Sequence, residues 1–169
     1  MRKITYNSQR DNSETIGIKG NSQCFATSAI MFLSFYSVNF KGDNDAMVKQ
    51  YLESFNKKTA FEWDSHCEHL NKWLFSQQIT GVVKHEVIDE NKLRELLVDR
   101  PVIIGTKCMA NLPGGHIILG VDAYGRYIVC NDPNGNAITD YVDKDGESAS
   151  YTFDMFNNGK ETRCMWKED

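Results

Sequence analysis

The chain has 169 residues, of which 41% are hydrophobic, 11% aromatic and 25% charged, and its formal net charge is −4 at pH 7. This composition is typical of a globular protein and excludes disordered, collagen-like and coiled-coil chains. A chain of this size buries about 70% of the surface that it exposes when unfolded, so its core needs neither a metal nor a disulfide. We therefore predict one domain over residues 1–169.

Charge and hydropathy patterns disfavour two classes of partner. No basic run exceeds a pair, and no apolar run approaches the ~20 residues of a membrane span. The N-terminal sequence MRKITYNSQRDN lacks the apolar segment of a secretory signal. The five cysteines are odd in number and have no CxxC spacing, which favours free thiols. We expect a cytoplasmic location and no nucleic-acid or membrane partner.

The first half of the chain is predicted to be helical after a polar start. The first 23 residues are rich in Asn, Ser and Gly, which favours an extended segment. From Cys24 the sequence CFATSAIMFLSFYSV is apolar on nearly all sides, as expected of a helix buried in a core. Three further helices are predicted, at about 43–55, from a capping-box pair at Ser65 and Glu68, and at about 89–99.

The pattern changes to that of β-strands at Pro101. Strands are predicted at 101–107, 115–123, 126–132, 150–153 and 162–166, with a turn at Tyr124-Gly125. Helices thus precede strands, which predicts an α+β fold with an antiparallel sheet.

Cys24 lies where the polar segment meets the buried helix. The N-terminus of a helix presents unpaired N–H groups and a partial positive charge, and both favour the nucleophilic thiolate over the thiol. The structural alternative is a core cysteine that merely begins an apolar helix.

His116 follows two glycines, which leave room for a substrate chain beside the imidazole. Asp132 comes sixteen residues later, within the sequence NDPNG, which is also a good turn in its own right. An aspartate beside a histidine fixes the tautomer of the ring and supports an imidazolium next to a thiolate. Cys24, His116 and Asp132 are therefore candidate catalytic residues.

The register of the predicted hairpin tests this pairing. If residues 123–125 form a three-residue loop with a left-handed glycine, Asp122 pairs with Arg126 and His116 lies directly opposite Asp132. A two-residue loop at Tyr124-Gly125 would place the two side chains on opposite faces. We predict the first register because of the position of the glycine.

Several segments, in this order, carry a resemblance to a known family. They are YNSQRDN (6–12), CFATSAIM (24–31), PVIIG (101–105), GHII (115–118) and NDPNG (131–135). The chain resembles the papain-like cysteine peptidases, and most closely the small bacterial and phage-encoded members of the C39-like peptidase family.

This resemblance implies a single C39-like domain with a papain-like fold, in which a helical half with a central nucleophile helix packs on a C-terminal antiparallel sheet. It implies that Cys24 is the nucleophile, His116 the general base and acid, and Asp132 the orienting group. Gln9 is then the side-chain donor to the oxyanion, with the backbone N–H of Cys24 as a second donor. Gln9 lies fifteen residues before Cys24, further than the spacing usual in papain, and Gln23 is the alternative.

The chain also departs from part of the family. Phe25 stands where the bacteriocin-processing members have Gly after the cysteine. Those members are usually joined to membrane and ATPase domains, which this chain lacks. Cleavage at a double-glycine leader is therefore not expected.

The function implied is hydrolysis of a peptide amide through a thioester. Two alternatives stay open. One is a peptidoglycan amidase or endopeptidase, such as a phage lysin released by lysis, and the other is an inactive module that binds a peptide or protein. The substrate is accordingly a peptide, a protein or peptidoglycan.

Neither a metal nor a cofactor is expected. One predicted helix carries His66, Cys67 and His69, without a second ligand pair at zinc spacing, and we expect Cys67 inside and both histidines at the rim. A later segment carries Asp140, Asp143, Asp145 and Glu147, whose spacing is not that of an EF-hand, and we expect an acidic turn.

Other titratable residues are given structural roles. We expect His85 in a solvated polar connection. Small apolar positions in strands are expected for Cys108, Cys130 and Cys164.

Overall fold

The computed structural model describes residues 4–107, 109 and 115–169. Within these residues the helices are α1 (Cys24–Phe35), α2 (Asn44–Leu52), α3 (Trp63–Ser76) and α4 (Glu90–Leu96). The strands are β1 (Val82–Ile88), β2 (Val102–Thr106), β3 (His116–Tyr124), β4 (Tyr127–Asn131), β5 (Ala149–Thr152) and β6 (Thr162–Glu168). None of the helices in the described part of the chain is long and apolar enough to cross a bilayer.

The six strands form one sheet in the order β1-β6-β2-β3-β4-β5. Every neighbouring pair is antiparallel. This is the α+β class that the sequence predicts, and the five predicted strands are confirmed within a few residues at their ends.

The sheet buries apolar side chains on both faces. Ile103 and Leu119 face a core built around α1, α2 and α3. Their chain neighbours Ile104 and Ile118 face a second core, which α4 and the last strands complete. Successive residues of a strand point to opposite faces, so two apolar residues in a row indicate a strand covered on both sides.

Helix α1 is the central helix of the first core. Every residue from Phe25 to Leu33 is buried, as the apolar sequence predicts. Helix α2 begins after Asp43, whose carboxylate caps it by accepting a hydrogen bond from the backbone N–H of Ala46 at 3.0 Å. It ends at Leu52, three residues before the predicted end.

The predicted capping box of the third helix is wrong. Helix α3 begins at Trp63, and Glu62 stands at its N-cap. Ser65 lies inside the first turn, where its hydroxyl donates to the carboxylate of Glu62 at 3.3 Å. The helix begins earlier because Trp63 packs against the first core, and this packing outweighs the local capping signal.

Strand β1 was not predicted, and the solvated connection expected around His85 is wrong. Only Val83 and Ile88 of this edge strand are buried, so its sequence shows no apolar run. Its backbone is instead fixed by seven register pairs with β6. His85 bonds through Nε2 to the carboxylate of Asp64 at 2.8 Å. The chain therefore places one strand before α4, rather than all helices before all strands.

The predicted hairpin register is also wrong in detail. Tyr124 pairs with Tyr127, so the loop is Gly125-Arg126, with Gly125 in the left-handed region at φ 51°. A bulge between Gly120 and Asp122 then shifts the register by one residue. The loop alone would place His116 and Asp132 on opposite faces, and the bulge returns them to one face.

His66 is fully buried, which corrects the expectation that it lies at the rim. Its Nε2 donates to the carbonyl of Ala60 at 2.8 Å, and its Nδ1 accepts from the hydroxyl of Tyr51 at 2.9 Å. Cys67 and His69 on the same helix are half-buried. Both ring nitrogens of His66 are thus used within the core.

Two of the cysteines expected to be small strand residues, Cys130 and Cys164, are buried in strands as predicted. Cys108 and Gly114 lie outside the described residues.

We expect His66 to make the fold acid-sensitive. Burial lowers the pKa of His66 from 6.5 to about 3, so the unfolded chain takes up this proton first. Stability is therefore full above about pH 6.5 and falls as the pH drops toward 3, by up to about 1.4 kcal/mol per pH unit from this group. His66→Gln should unfold at lower denaturant concentration at pH 7, with a shallower loss of stability between pH 6.5 and 4.5. Parallel curves for the two proteins would contradict this role.

Candidate active site

Cys24 occupies the first position of α1, as predicted. A short 3₁₀ turn at Gly20–Ser22 brings the chain to Gln23, and the helix then starts with a hydrogen bond from the N–H of Thr27 to the carbonyl of Gln23 at 2.9 Å. The free N–H groups of this first turn point along the axis toward the start of the helix. The Cys24 thiol therefore lies in the positive end of the helix dipole.

His116 and Asp132 form a buried pair. Nε2 of His116 lies 2.6 Å from Oδ1 of Asp132, and both side chains are almost wholly buried. Burial alone lowers the pKa of His116, but the charge of Asp132, the hydrogen bond to it and the Cys24 thiol raise the pKa to about 10. Since Asp132 occupies Nε2, the ring nitrogen left for Cys24 is Nδ1. The structure thus brings together the three residues that the sequence singles out.

The carboxylate of Asp132 has three further donors. Oδ1 accepts from the backbone N–H of Asn134 at 2.9 Å. Oδ2 accepts from the hydroxyls of Tyr151 at 2.9 Å and Tyr141 at 3.3 Å. A buried carboxylate is stable only when its oxygens are paired in this way. These contacts fix the plane of the carboxylate and, through it, the ring of His116.

Residues 6–13 form a strap across the site. The strap bonds to the sheet side through the N–H of Gln9, which donates to the carbonyl of Pro133 at 2.8 Å, and through Arg10, which donates to the carbonyl of Asn134. It bonds to the helical side through Asn12, whose amide lies 3.4 Å from the hydroxyl of Thr27. The extended segment predicted here is thus held to both halves of the molecule.

Gln9 and Gln23 are placed differently. Nε2 of Gln9 donates to the carbonyl of Asn21 at 2.8 Å, and Gln9 lines the same cleft as Cys24 and His116. A side-chain amide has two N–H donors, so one is left for a ligand. Nε2 of Gln23 donates to the carbonyls of Ser13 and Ile18, and Gln23 does not line the cleft. The geometry favours Gln9 as the donor.

A cleft of about 1120 Å³ opens over Cys24 and His116. Its apolar lining includes Phe25, Phe61, Trp63 and Val87. Its polar lining includes Arg10, Asn134 and Tyr141. The cleft therefore offers both apolar and polar contacts beside the thiol.

The two candidate metal clusters do not assemble. In the described part of the chain, no group of three or more His, Cys, Asp or Glu side chains is placed to hold a metal ion. The carboxylates of Asp143 and Asp145 accept backbone N–H groups within their own turn. The segment is therefore an acidic turn, as expected.

Comparison with known proteins identifies the class. The model of the Peptidase_C39 like family matches residues 1–158, so the chain belongs to this family. The antiparallel sheet and helices agree with the papain-like α+β fold that the resemblance implies. No curated protein matches the chain.

Sequence reasoning missed the tyrosines of the site. Tyr141 and Tyr151 reach Asp132 from a loop and a strand nine and nineteen residues further along the chain. Tyr6 donates to the carbonyl of Asp132 at 2.9 Å. The only signal was the tyrosine that opens the motif YNSQRDN, because contacts between distant segments leave no local pattern.

We predict that Gln9→Ala lowers kcat by about 10²–10³-fold with little change in KM, because the lost donor acts mainly on the transition state. Alkylation of Cys24 by iodoacetamide should survive, since that reaction builds no oxyanion. The matched variant Gln23→Ala should lower the melting temperature and affect kcat less, because both carbonyls that it serves are structural. The reverse ranking of the two kcat values would assign the donor role to Gln23.

We predict that Asp132→Ala retains more activity than His116→Ala, because Asp132 orients and stabilises the ring whereas His116 moves protons. Asp132→Asn removes only the charge, so the pKa of His116 should fall and the alkaline limb of the kcat/KM profile should move to lower pH. Rates at several pH values test both statements. Equal residual rates for the two alanine variants, or an unmoved alkaline limb, would contradict these separate roles.

Proposed function

We propose that this protein hydrolyses peptide amide bonds through a thioester on Cys24, as a single C39-like domain. The observation that carries the proposal is the cleft shared by Cys24, His116 and Gln9, with His116 bonded to the buried Asp132. A nucleophile, a base held by a third group and an amide donor in one cleft are the parts that acyl transfer needs.

The proposed reaction begins with Cys24 as thiolate and His116 as imidazolium. The sulfur attacks the carbonyl carbon of the substrate, and the oxygen takes the negative charge beside Nε2 of Gln9 and the N–H of Cys24. His116 gives its proton to the leaving nitrogen as the C–N bond breaks, which leaves a thioester. Water then attacks the thioester, His116 takes up a proton from it, and the sulfur leaves as thiolate. Asp132 keeps the ring oriented throughout.

Two kinds of substrate fit this chemistry. Peptides and unfolded proteins are the first, since the apolar and polar side chains that line the cleft can contact the side chains and backbone of a peptide. The cross-linked peptides of peptidoglycan are the second, as in a phage lysin. Cleavage of denatured casein, compared with loss of turbidity of permeabilised bacteria, separates the two. Fragments identified by mass spectrometry would give the bond that is cut.

An inactive module that binds a peptide is the competing proposal. An intact pair of His116 and Asp132 beside a cysteine argues against it, because a binding cleft has no need of a buried charge that costs stability. Alkylation of Cys24 at pH 6 at a rate above that of the other thiols supports the enzyme. Equal rates for all reactive thiols support the module.

We predict that Cys24→Ala abolishes hydrolysis and leaves the melting temperature nearly unchanged. Cys24 is only partly buried at the start of α1, so removing its sulfur leaves a small space at the cleft surface rather than a core cavity. Hydrolysis assays and thermal unfolding of both proteins test this. Substantial activity in the variant would exclude Cys24 as nucleophile. Cys164→Ala is the control, because its thiol is buried in β6 and does not line the cleft, and the variant should stay active.

A further inference from the structure

One loop places a tyrosine over the His116–Asp132 pair. Residues 136–143, named here the flap, follow the turn that carries Asp132. Tyr141 of the flap lines the cleft, and its ring stands edge-on to the ring of His116 at 6.0 Å between centroids and 85° between planes. Its hydroxyl donates to Oδ2 of Asp132. A single side chain thus touches the aspartate and covers the histidine.

The backbone of the flap is held in an unfavourable conformation at this point. Asp140 and Tyr141 both have left-handed backbones, at φ 49° and 61°, although neither is glycine. Non-glycine residues keep such a conformation only when the surroundings enforce it, and they cluster at functional sites. Two contacts hold Tyr141 there: its N–H donates to the carbonyl of Asn136 at 3.0 Å, and its carbonyl accepts from Nζ of Lys144 at 2.6 Å.

Tyr151 bonds to the same carboxylate oxygen but serves the fold. It is fully buried in β5, and its hydroxyl accepts from the N–H of Ala137 at 3.0 Å. Tyr141 alone of these two tyrosines faces the cleft. Burial and the charge of Asp132 raise the pKa of Tyr141, so its hydroxyl keeps its proton and remains a donor.

We propose that Tyr141 is a positioning residue of the hydrolase: its hydroxyl fixes Asp132, and its ring keeps water from the His116–Asp132 pair. This inference rests on the proposed function of the site. The two parts of the side chain act in opposite directions on the imidazolium. The hydrogen bond from the hydroxyl draws negative charge from the carboxylate and so weakens its attraction for protonated His116. The ring excludes water and so strengthens the same attraction.

The surroundings of the pair contain several other titratable or charged groups. They are Cys24 of α1, Tyr6 and Arg10 of the strap, Cys130 of β4, Tyr151 of β5 and Lys144 after the flap. Tyr141→Phe keeps the ring over which the Arg10 guanidinium lies, so differences from the wild-type profile report on the hydroxyl of Tyr141. Tyr141→Leu removes the ring together with this contact.

The test compares Tyr141→Phe with Tyr141→Leu. Both keep a Cβ on the left-handed backbone, so the backbone cost is matched. The rate of Cys24 alkylation by iodoacetamide is measured from pH 4 to 11 by mass spectrometry of the Cys24 peptide. This rate changes at alkaline pH, where His116 loses its imidazolium proton, and this change is named here the alkaline step. We expect the midpoint of this step to move to higher pH by about 0.3–1 pH unit in Tyr141→Phe, where only the hydroxyl is lost. In Tyr141→Leu we expect the midpoint to move to lower pH.

Turnover gives the second readout. Tyr141→Phe should lower kcat by about 2- to 10-fold with KM unchanged, as expected for loss of one neutral hydrogen bond that orients Asp132. Tyr127→Phe is the control, since the hydroxyl of Tyr127 meets only Arg126 at the hairpin turn among the described residues, and it should match wild type in both readouts.

Three outcomes overturn the inference: an unchanged alkylation profile in Tyr141→Phe, a fall of the alkaline step in both variants, or equal kcat for Tyr141→Phe and wild type. If the leucine variant does not fold, the phenylalanine variant decides alone. Alkylation needs no substrate. A wild-type protein that shows the alkaline step but cleaves no amide would contradict the proposed function, while the shift in the two variants still decides the role of Tyr141.

Discussion

The buried carboxylate of Asp132 is the constraint on which the rest of the site depends. A charge with no exposed surface costs several kcal/mol unless its oxygens are paired. Here the donors come from four places, namely the ring of His116, the N–H of Asn134 and the hydroxyls of Tyr141 and Tyr151.

The backbone of Asp132 is held as well, because its N–H donates to the carbonyl of Gly146 at 2.9 Å. A Cβ on Gly146 would lie 2.1 Å from the carbonyl oxygen of Asp132, so only glycine lets the loop between β4 and β5 close here. Side-chain and backbone contacts of the irregular segment after β4 thus converge on Asp132.

The residues of the site come from both halves of the molecule. His116 begins β3, whereas Cys24 begins α1, and the two meet only because α1 packs against β3 with its N-terminus at that end of the strand. The strap adds a second connection, since Gln9 bonds to the carbonyl of Pro133, immediately after Asp132. Displacing the turn at 131–135 would move the ring of His116 and the amide of Gln9 together. The candidate base and the candidate oxyanion donor therefore share one support, the turn at 131–135.

Some elements of the fold are determined by the local sequence, and others by contacts with distant segments. Helix α1 and strands β2 to β6 are visible in the sequence because apolar or β-forming residues are concentrated within each of these segments. Strand β1 is not visible, because an edge strand buries few side chains and is defined by pairing with β6, which lies far along the chain.

The hairpin between β3 and β4 was predicted only in part. The glycine of its loop is left-handed as predicted, yet the bulge before Asp122 has no local signal, and it is the bulge that puts His116 and Asp132 on one face. The predicted loop length is therefore wrong, yet the two side chains meet as predicted, because the bulge offsets the one-residue difference in the loop.

Phe25 connects the packing of the hydrophobic core to the candidate nucleophile, Cys24. The side chain next to Cys24 packs on the ring of His66 at 3.7 Å and on Trp63 at 4.9 Å between centroids, and it is 5% exposed. A glycine here would leave a cavity between α1 and α3 and would free the first turn of α1. The residue that follows the cysteine is thus part of the packing that fixes the cysteine in this chain.

Because His66 must stay neutral inside that packing, protonation of its buried ring in α3 would loosen the contact that holds the start of α1. His66 is neutral and His116 is an imidazolium over the same pH range, because burial lowers the pKa of His66 to about 3 and the charge of Asp132 raises the pKa of His116 to about 10.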